Sequence, residues 1–125
     1  MSQIKNFKDL KVWQKSHKLV IAIYKATARF PNGERFCLIS QVRRAVISVA
    51  SNIVEGFHRA SLKESLYFYH VATASLEEVK YQLLIAKDLQ YLSESDYNSI
   101  FDLADEVGKM LYSRAKSQVE NNKTK

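Results

Sequence analysis

Proline occurs once and glycine three times in 125 residues, where average usage would place roughly six and nine. So few chain breakers exclude a turn-rich β-sandwich or barrel, a collagen-like repeat and a Pro/Gly linker architecture. The one cysteine, Cys37, has no partner for an internal disulfide, which fits a reducing compartment. No stretch approaches the ~18 charge-free apolar residues of a membrane span. The opening Met1-Ser2-Gln3-Ile4-Lys5 has no apolar core of a secretory leader, so a cytoplasmic location is expected. The three histidines, His17, His58 and His70, are isolated, and no Glu-x-x-His occurs, which excludes a di-iron bundle on ligand pattern. No glycine-rich phosphate loop is present. No histidine stands at helical spacing from Ser48 or Ser51 to activate a hydroxyl. An enzyme is therefore not expected, nor a cofactor or metal.

What the chain does contain is enough apolar surface for a core and an excess of positive charge. Hydrophobic residues make up 46%, charged residues 26%, and the formal net charge is +6. Helical periodicity of about 100° per residue divides residues 1–119 into helices over about 9–28, 36–55, 61–89 and 94–119. A polar tail, 120–125, is expected to fray. Short connections favour an antiparallel, up-down-up-down four-helix bundle in a single all-α domain.

On the first helix, Leu10, Trp13, His17, Val20, Ile21 and Tyr24 share a face, widened by Val12, Leu19 and Ile23 to about 200° of the circumference. That exceeds one core contact and points to a second buried surface. His17 on this face reads as a core histidine. Pro31 and Gly33 break the chain before the second helix. There Leu38, Val42, Ala45, Val46, Val49 and Ile53 form a core stripe, and Gly56 reads as a C′ residue. Ser61 and Glu64 form a capping box for the third helix. Its two apolar stripes are Phe68, Ala72, Leu76, Val79, Leu83 and Ala86, and Tyr67, Val71, Ala74, Ile85 and Leu89. Tyr97, Ile100, Phe101, Ala104, Val107, Leu111 and Ala115 line the fourth. Cys37 reads as a small packing residue, and Phe57 as a seal for the end of the bundle, the alternative being that Phe57, His58 and Arg59 stack on or contact a base.

Two polar patterns remain. Gln41, Arg44, Ser48, Asn52 and Glu55 fall within about 80° on the second helix. With small residues allowing close approach, this reads as a structural network in which Arg43 or Arg44 pairs with Glu55, Glu77 or a buried Glu78. The second pattern is charge. Residues 1–62 hold eleven Lys/Arg against three Asp/Glu, a net of +8, while residues 63–125 carry a net of −2. Lys11, Lys15, Lys18, Lys25 and Arg29 lie within about 80° of one another along roughly 27 Å of helix, and no acidic residue lies between them. Such a stripe suits a phosphate backbone, and Arg59 adds a cation on the second loop. No helix-turn-helix, zinc-finger spacing or aromatic RNA-binding signature points to sequence-specific readout.

A long irregular pattern runs through the middle of the chain. Phe30-Pro31-x-x-Glu34-x-Phe36 precedes Gln41-x-Arg43-Arg44-Ala45-x-x-Ser48-x-x-Ser51-Asn52-Ile53-x-Glu55-Gly56. Arg59-x-Ser61, Ala72-x-Ala74-Ser75-Leu76-x-Glu78 and Gln82-Leu83 follow. With Phe7-x-x-Leu10-x-Val12-Trp13 at the start, it resembles the four-helix-bundle proteins encoded in intervening sequences of bacterial 23S rRNA genes, over about residues 7–115. Two departures are Cys37 and Ala74, where that family more often has glycine. The resemblance implies a homo-oligomer, a ring of five, without enzymatic activity. It also implies a relation to the accessory proteins of diversity-generating retroelements, basic pentamers that bind a reverse transcriptase and nucleic acid. The expected function is thus nucleic-acid binding by a homo-oligomer. The alternative is a scaffold docking a protein such as a reverse transcriptase or ribosomal component.

Overall fold

The computed structural model describes residues 4–123. Met1–Gln3 of the opening segment and Thr124–Lys125 of the expected tail lie outside the described residues. A single 3-10 turn at Phe7–Asp9 leads into α1 (Lys11–Thr27). A second turn at Asn32–Glu34 leads into α2 (Leu38–Phe57), followed by α3 (Leu62–Asp88) and α4 (Glu94–Lys123). No strand occurs among the described residues. Among the described residues no helix is long and apolar enough to cross a membrane.

Local chemistry sets the ends. The Ser61 hydroxyl accepts the Glu64 amide at 3.2 Å and Ser93 accepts that of Asp96 at 3.0 Å, so α3 and α4 each open on a side-chain cap. At the end of α3 the Tyr91 amide reaches the Ala86 carbonyl and the Gln90 amide that of Lys87, both at 2.9 Å. This places Gln90 in the left-handed region at φ 65°, where glycine is usual. The expected tail is instead helical to Lys123, and α2 begins at Leu38, leaving Phe36 and an exposed Cys37 outside it. Cys37 is therefore not a packing residue.

Each helix packs on two others: α1 on α2 and α4, and α3 on α2 and α4. Side-chain contacts show how they are laid out. Arg43, near the start of α2, holds Thr27 at the end of α1, and His58 at the end of α2 meets Phe7 before α1. Arg29 after α1 reaches Asp96 in the first turn of α4, and Arg114 late in α4 donates to the Tyr69 hydroxyl early in α3.

The core stripe of α2 is buried as its spacing implies: Leu38, Val42, Ala45, Val46, Val49 and Ile53 all face inward. On α3, Ala72, Leu76, Val79, Leu83 and Ala86 do so, and on α4 Ile100, Ala104, Val107 and Leu111. On α1 burial falls to one side of the expected face: Leu10 and the widening residues Val12, Leu19 and Ile23 are buried, and Ala26, Ser16 and Thr27 join them. Ile21, Tyr24 and His17 are exposed. The reason lies in the two hydroxyls. Ser16 donates to the Trp13 carbonyl at 2.8 Å and Thr27 to that of Ile23 at 2.7 Å. Satisfied within their own helix, both small polar groups go into the core at little cost. His17 is thus not a core histidine. It stacks on the half-buried Trp13, centroids 5.0 Å apart and planes at 13°.

Gly56 also does different work from the turn residue expected. It lies inside α2, buried, under the ring of Tyr69. A Cβ there would overlap the Tyr69 Cε1 edge, and the Gly56 carbonyl accepts the Ser65 hydroxyl. Only a residue without a side chain lets the end of α2 come this close to α3. Gly56→Ala should therefore cost about 1–3 kcal/mol in urea denaturation, the usual range for overpacking. Gly33→Ala, with nothing within 4 Å of the added methyl, should stay within about 0.5 kcal/mol.

Candidate nucleic-acid interface

The basic stripe of α1 lies beside α4, and α4 answers part of it. Lys15 Nζ sits 2.8 Å from Glu106 Oε1, and Arg29 Nη2 is 3.3 Å from Asp96 Oδ2. Arg59 pairs with Glu55 one turn back and covers the Phe68 ring at 4.6 Å. Such partly exposed pairs add little stability, yet each cancels a charge that a phosphate would otherwise meet. Of the six expected contact residues, Lys11, Lys18 and Lys25 stay exposed with no ion-pair partner among the described residues. They stand two turns apart, about 10.5 Å between neighbours along the axis, in a single row on a helix that contains no acid.

The polar stripe of α2 divides into three parts. Ser48 meets Ser75 of α3 at 2.8 Å, and the Asn52 amide donates to the Ser48 carbonyl at 2.8 Å and hydroxyl at 3.0 Å. Ser48 and Asn52 of the stripe are thus bonded to each other and, through Ser75, to α3. Arg43 turns the other way: Nε donates to Thr27 Oγ1 at 2.9 Å, Nη2 to the Tyr24 carbonyl at 3.2 Å, and the guanidinium lies 4.3 Å from the Tyr24 centroid. Gln41 and Arg44 are exposed, and so is Glu78, expected in the interior. Neither arginine pairs with Glu55, Glu77 or Glu78, because Arg59 and Lys80 take the first two. Glu78 instead lies on the outward face of α3, exposed in the protomer.

Lys80, which residue spacing did not single out, links α3 to α4. It lies 2.8 Å from Asp105 and 3.5 Å from Glu77, with its side chain largely covered. Burial alone would lower its pKa, but the hydrogen bond it donates to Asp105 and the charge of Glu77 outweigh this and raise it. The contribution is thus fully present below the ordinary lysine range and is lost only as the pH climbs above it. An acid three residues before Lys80 was the available signal, but the second acid lies across a helix interface.

Among the described residues no three His, Cys, Asp or Glu side chains converge into a metal site. Phe57 is half-buried against the core, its ring edge-on to His58 at 5.0 Å.

The family described as 23S rRNA-intervening sequence protein matches residues 8–113. The chain belongs to that family. A similar solved structure is the crystal structure of a protein with unknown function from the S23 ribosomal protein family of Bacteroides thetaiotaomicron VPI-5482. It is 25% identical, with a TM-score of 0.80 over 87% of this chain and 98% of that one. Comparison with curated proteins finds no match. The match runs from before α1 through most of α4, including the lysine row and the polar residues of α2.

The two adjacent arginines should separate cleanly. Arg43→Ala should lose about 1–2 kcal/mol of unfolding free energy, the worth of its hydrogen bonds and ring contact. Arg44→Ala should stay within about 0.5 kcal/mol by the same urea titration.

Proposed function

We propose that this protein is a non-enzymatic, homo-oligomeric, up-down-up-down four-helix bundle that binds RNA or DNA through the phosphate backbone. The observation that carries the reading is the row Lys11, Lys18 and Lys25. These are exposed cations at a fixed spacing on a helix with no acidic residue. An ordinary surface helix mixes signs. Phosphate contacts need only placed positive charge, and they release counterions whatever the base sequence. The family description and the ribosomal family of the similar structure make rRNA the first ligand to test.

Assembly is supported by α3. Tyr67, Val71, Ala74, Glu78, Tyr81 and Ile85 alternate steps of four and three residues along its outward side. Tyr67 and Tyr81 are 62% and 64% exposed. A seam at that spacing suits packing against a further helix. Repeating the protomer would repeat the lysine row and multiply its field.

The triple variant Lys11→Glu, Lys18→Glu and Lys25→Glu should lose about 100-fold in affinity for an rRNA fragment at 0.1 M salt. That is the counterion release of roughly three phosphate contacts, read by fluorescence anisotropy. By light scattering both proteins should keep one and the same mass, above that of a protomer. Unchanged affinity would refute the phosphate mechanism, and a protomer mass for the parent would refute the oligomer.

A further inference from the structure

Phe36 is the most exposed large hydrophobic side chain of the described residues, at 85%. The others of that exposure class with aromatic rings, Tyr24, Tyr67, Tyr81 and Tyr112, stand on helices and carry a hydroxyl that water can solvate. Phe36 has no polar atom and stands on the loop between α1 and α2. The loop is held by its own backbone: the amides of Glu34, Arg35 and Cys37 reach the carbonyls of Pro31, Asn32 and Glu34 at 3.0–3.1 Å. The ring is therefore presented to water on a hydrogen-bonded turn.

Its surroundings are cationic. The Arg35 guanidinium lies 5.5 Å from the Phe36 centroid. The one acid of the turn, Glu34, is engaged by the Tyr91 hydroxyl, whose pKa is raised above its ordinary 10.0 by that hydrogen bond. Lys25, the last of the exposed lysine row, lies in the final turns of α1, at the end from which this loop departs. Row and loop are continuous along the chain.

We propose that Phe36 is a stacking platform for an unpaired nucleobase, with Arg35 meeting the adjoining phosphate, so that the lysine row and this loop together take a single-stranded segment. The inference rests on the phosphate-binding reading of α1 and adds to it a preference for unpaired strands. A protein partner would need a contiguous apolar patch of hundreds of Å². Here the neighbours of the ring in the chain are Gly33, Glu34, Arg35, Cys37 and a buried Leu38. One flat aromatic beside one guanidinium matches the unit that repeats in a single strand, a base and a phosphate. Every base offers a π-face, so no sequence specificity follows.

The test uses the whole protein with two labelled probes, a 20-nucleotide oligouridylate, whose bases do not stack on one another, and a blunt 20-base-pair RNA duplex. Phe36→Ala should weaken the single-strand complex roughly 5- to 100-fold, the range of aromatic-to-alanine losses at stacking sites. It should leave the duplex complex within about twofold. Phe36→Trp should restore single-strand affinity, and the added indole emission should be quenched by the oligouridylate. Equal losses on both probes, no loss on the single strand, or an unquenched indole would overturn the proposal. A change in mass by light scattering without a change in affinity would overturn it too, by assigning the ring to contact between copies. If the parent binds both probes and Phe36→Ala is silent, only this inference fails. If the parent binds neither, the reading of α1 fails and this inference with it.

Discussion

The close approach of α2 to α3 is the constraint on which the rest of the bundle hangs. Gly56 lies under the Tyr69 ring with its carbonyl on the Ser65 hydroxyl, and eight residues earlier Ser48 meets Ser75. Small residues at both levels bring the two backbones together, and the leucines, valines and isoleucines between them are buried. The other two helices are attached through this pair. Arg43 of α2 fastens the end of α1, while Tyr69 and Lys80 of α3 fasten α4. Loosening the Gly56 contact would therefore shift the framework that aims α1 outward.

That framework also decides which charges stay free. The chain's positive excess is concentrated in its first half, and the acids of its second half lie largely on α4. Packing α1 against α4 brings the two sets together, and Glu106 and Asp96 claim Lys15 and Arg29. Lys11, Lys18 and Lys25 stay exposed with no acid of the described residues in ion-pair reach. The surface left over is a row of single charges, which fits a polymer of phosphates better than a compact anion.

The parts of the fold legible in the sequence were those where one physical term dominates. On α2 the apolar stripe is narrow and unambiguous, and all six of its residues are buried. On α1 the spacing centres one wide face on Trp13 and Tyr24 with Leu19 and Ile23 at its margin, but packing centres the core on the latter pair because Ser16 and Thr27 satisfy themselves and leave room. A hydrophobic pattern treats those two residues as polar, so it cannot see this. Gly56 shows the same limit, since a glycine near a helix end has two uses, a turn or a close contact, and only the facing ring distinguishes them. For the candidate site, the lysine stripe was legible as a stripe. Its division into paired and free members was not, because pairing depends on which helix lies alongside. Arg44 and Glu78 illustrate the converse, as an expected internal pair that places both groups in water.

The claim on which the functional account turns is that binding is made by placed positive charge. The direct measurement is the affinity of the unaltered protein for a single-stranded rRNA fragment at salt concentrations from about 50 to 200 mM. Three phosphate contacts per protomer predict a slope of log affinity against log salt of about −2, or steeper where several protomers engage one strand. An affinity that stays flat across that range would contradict the account.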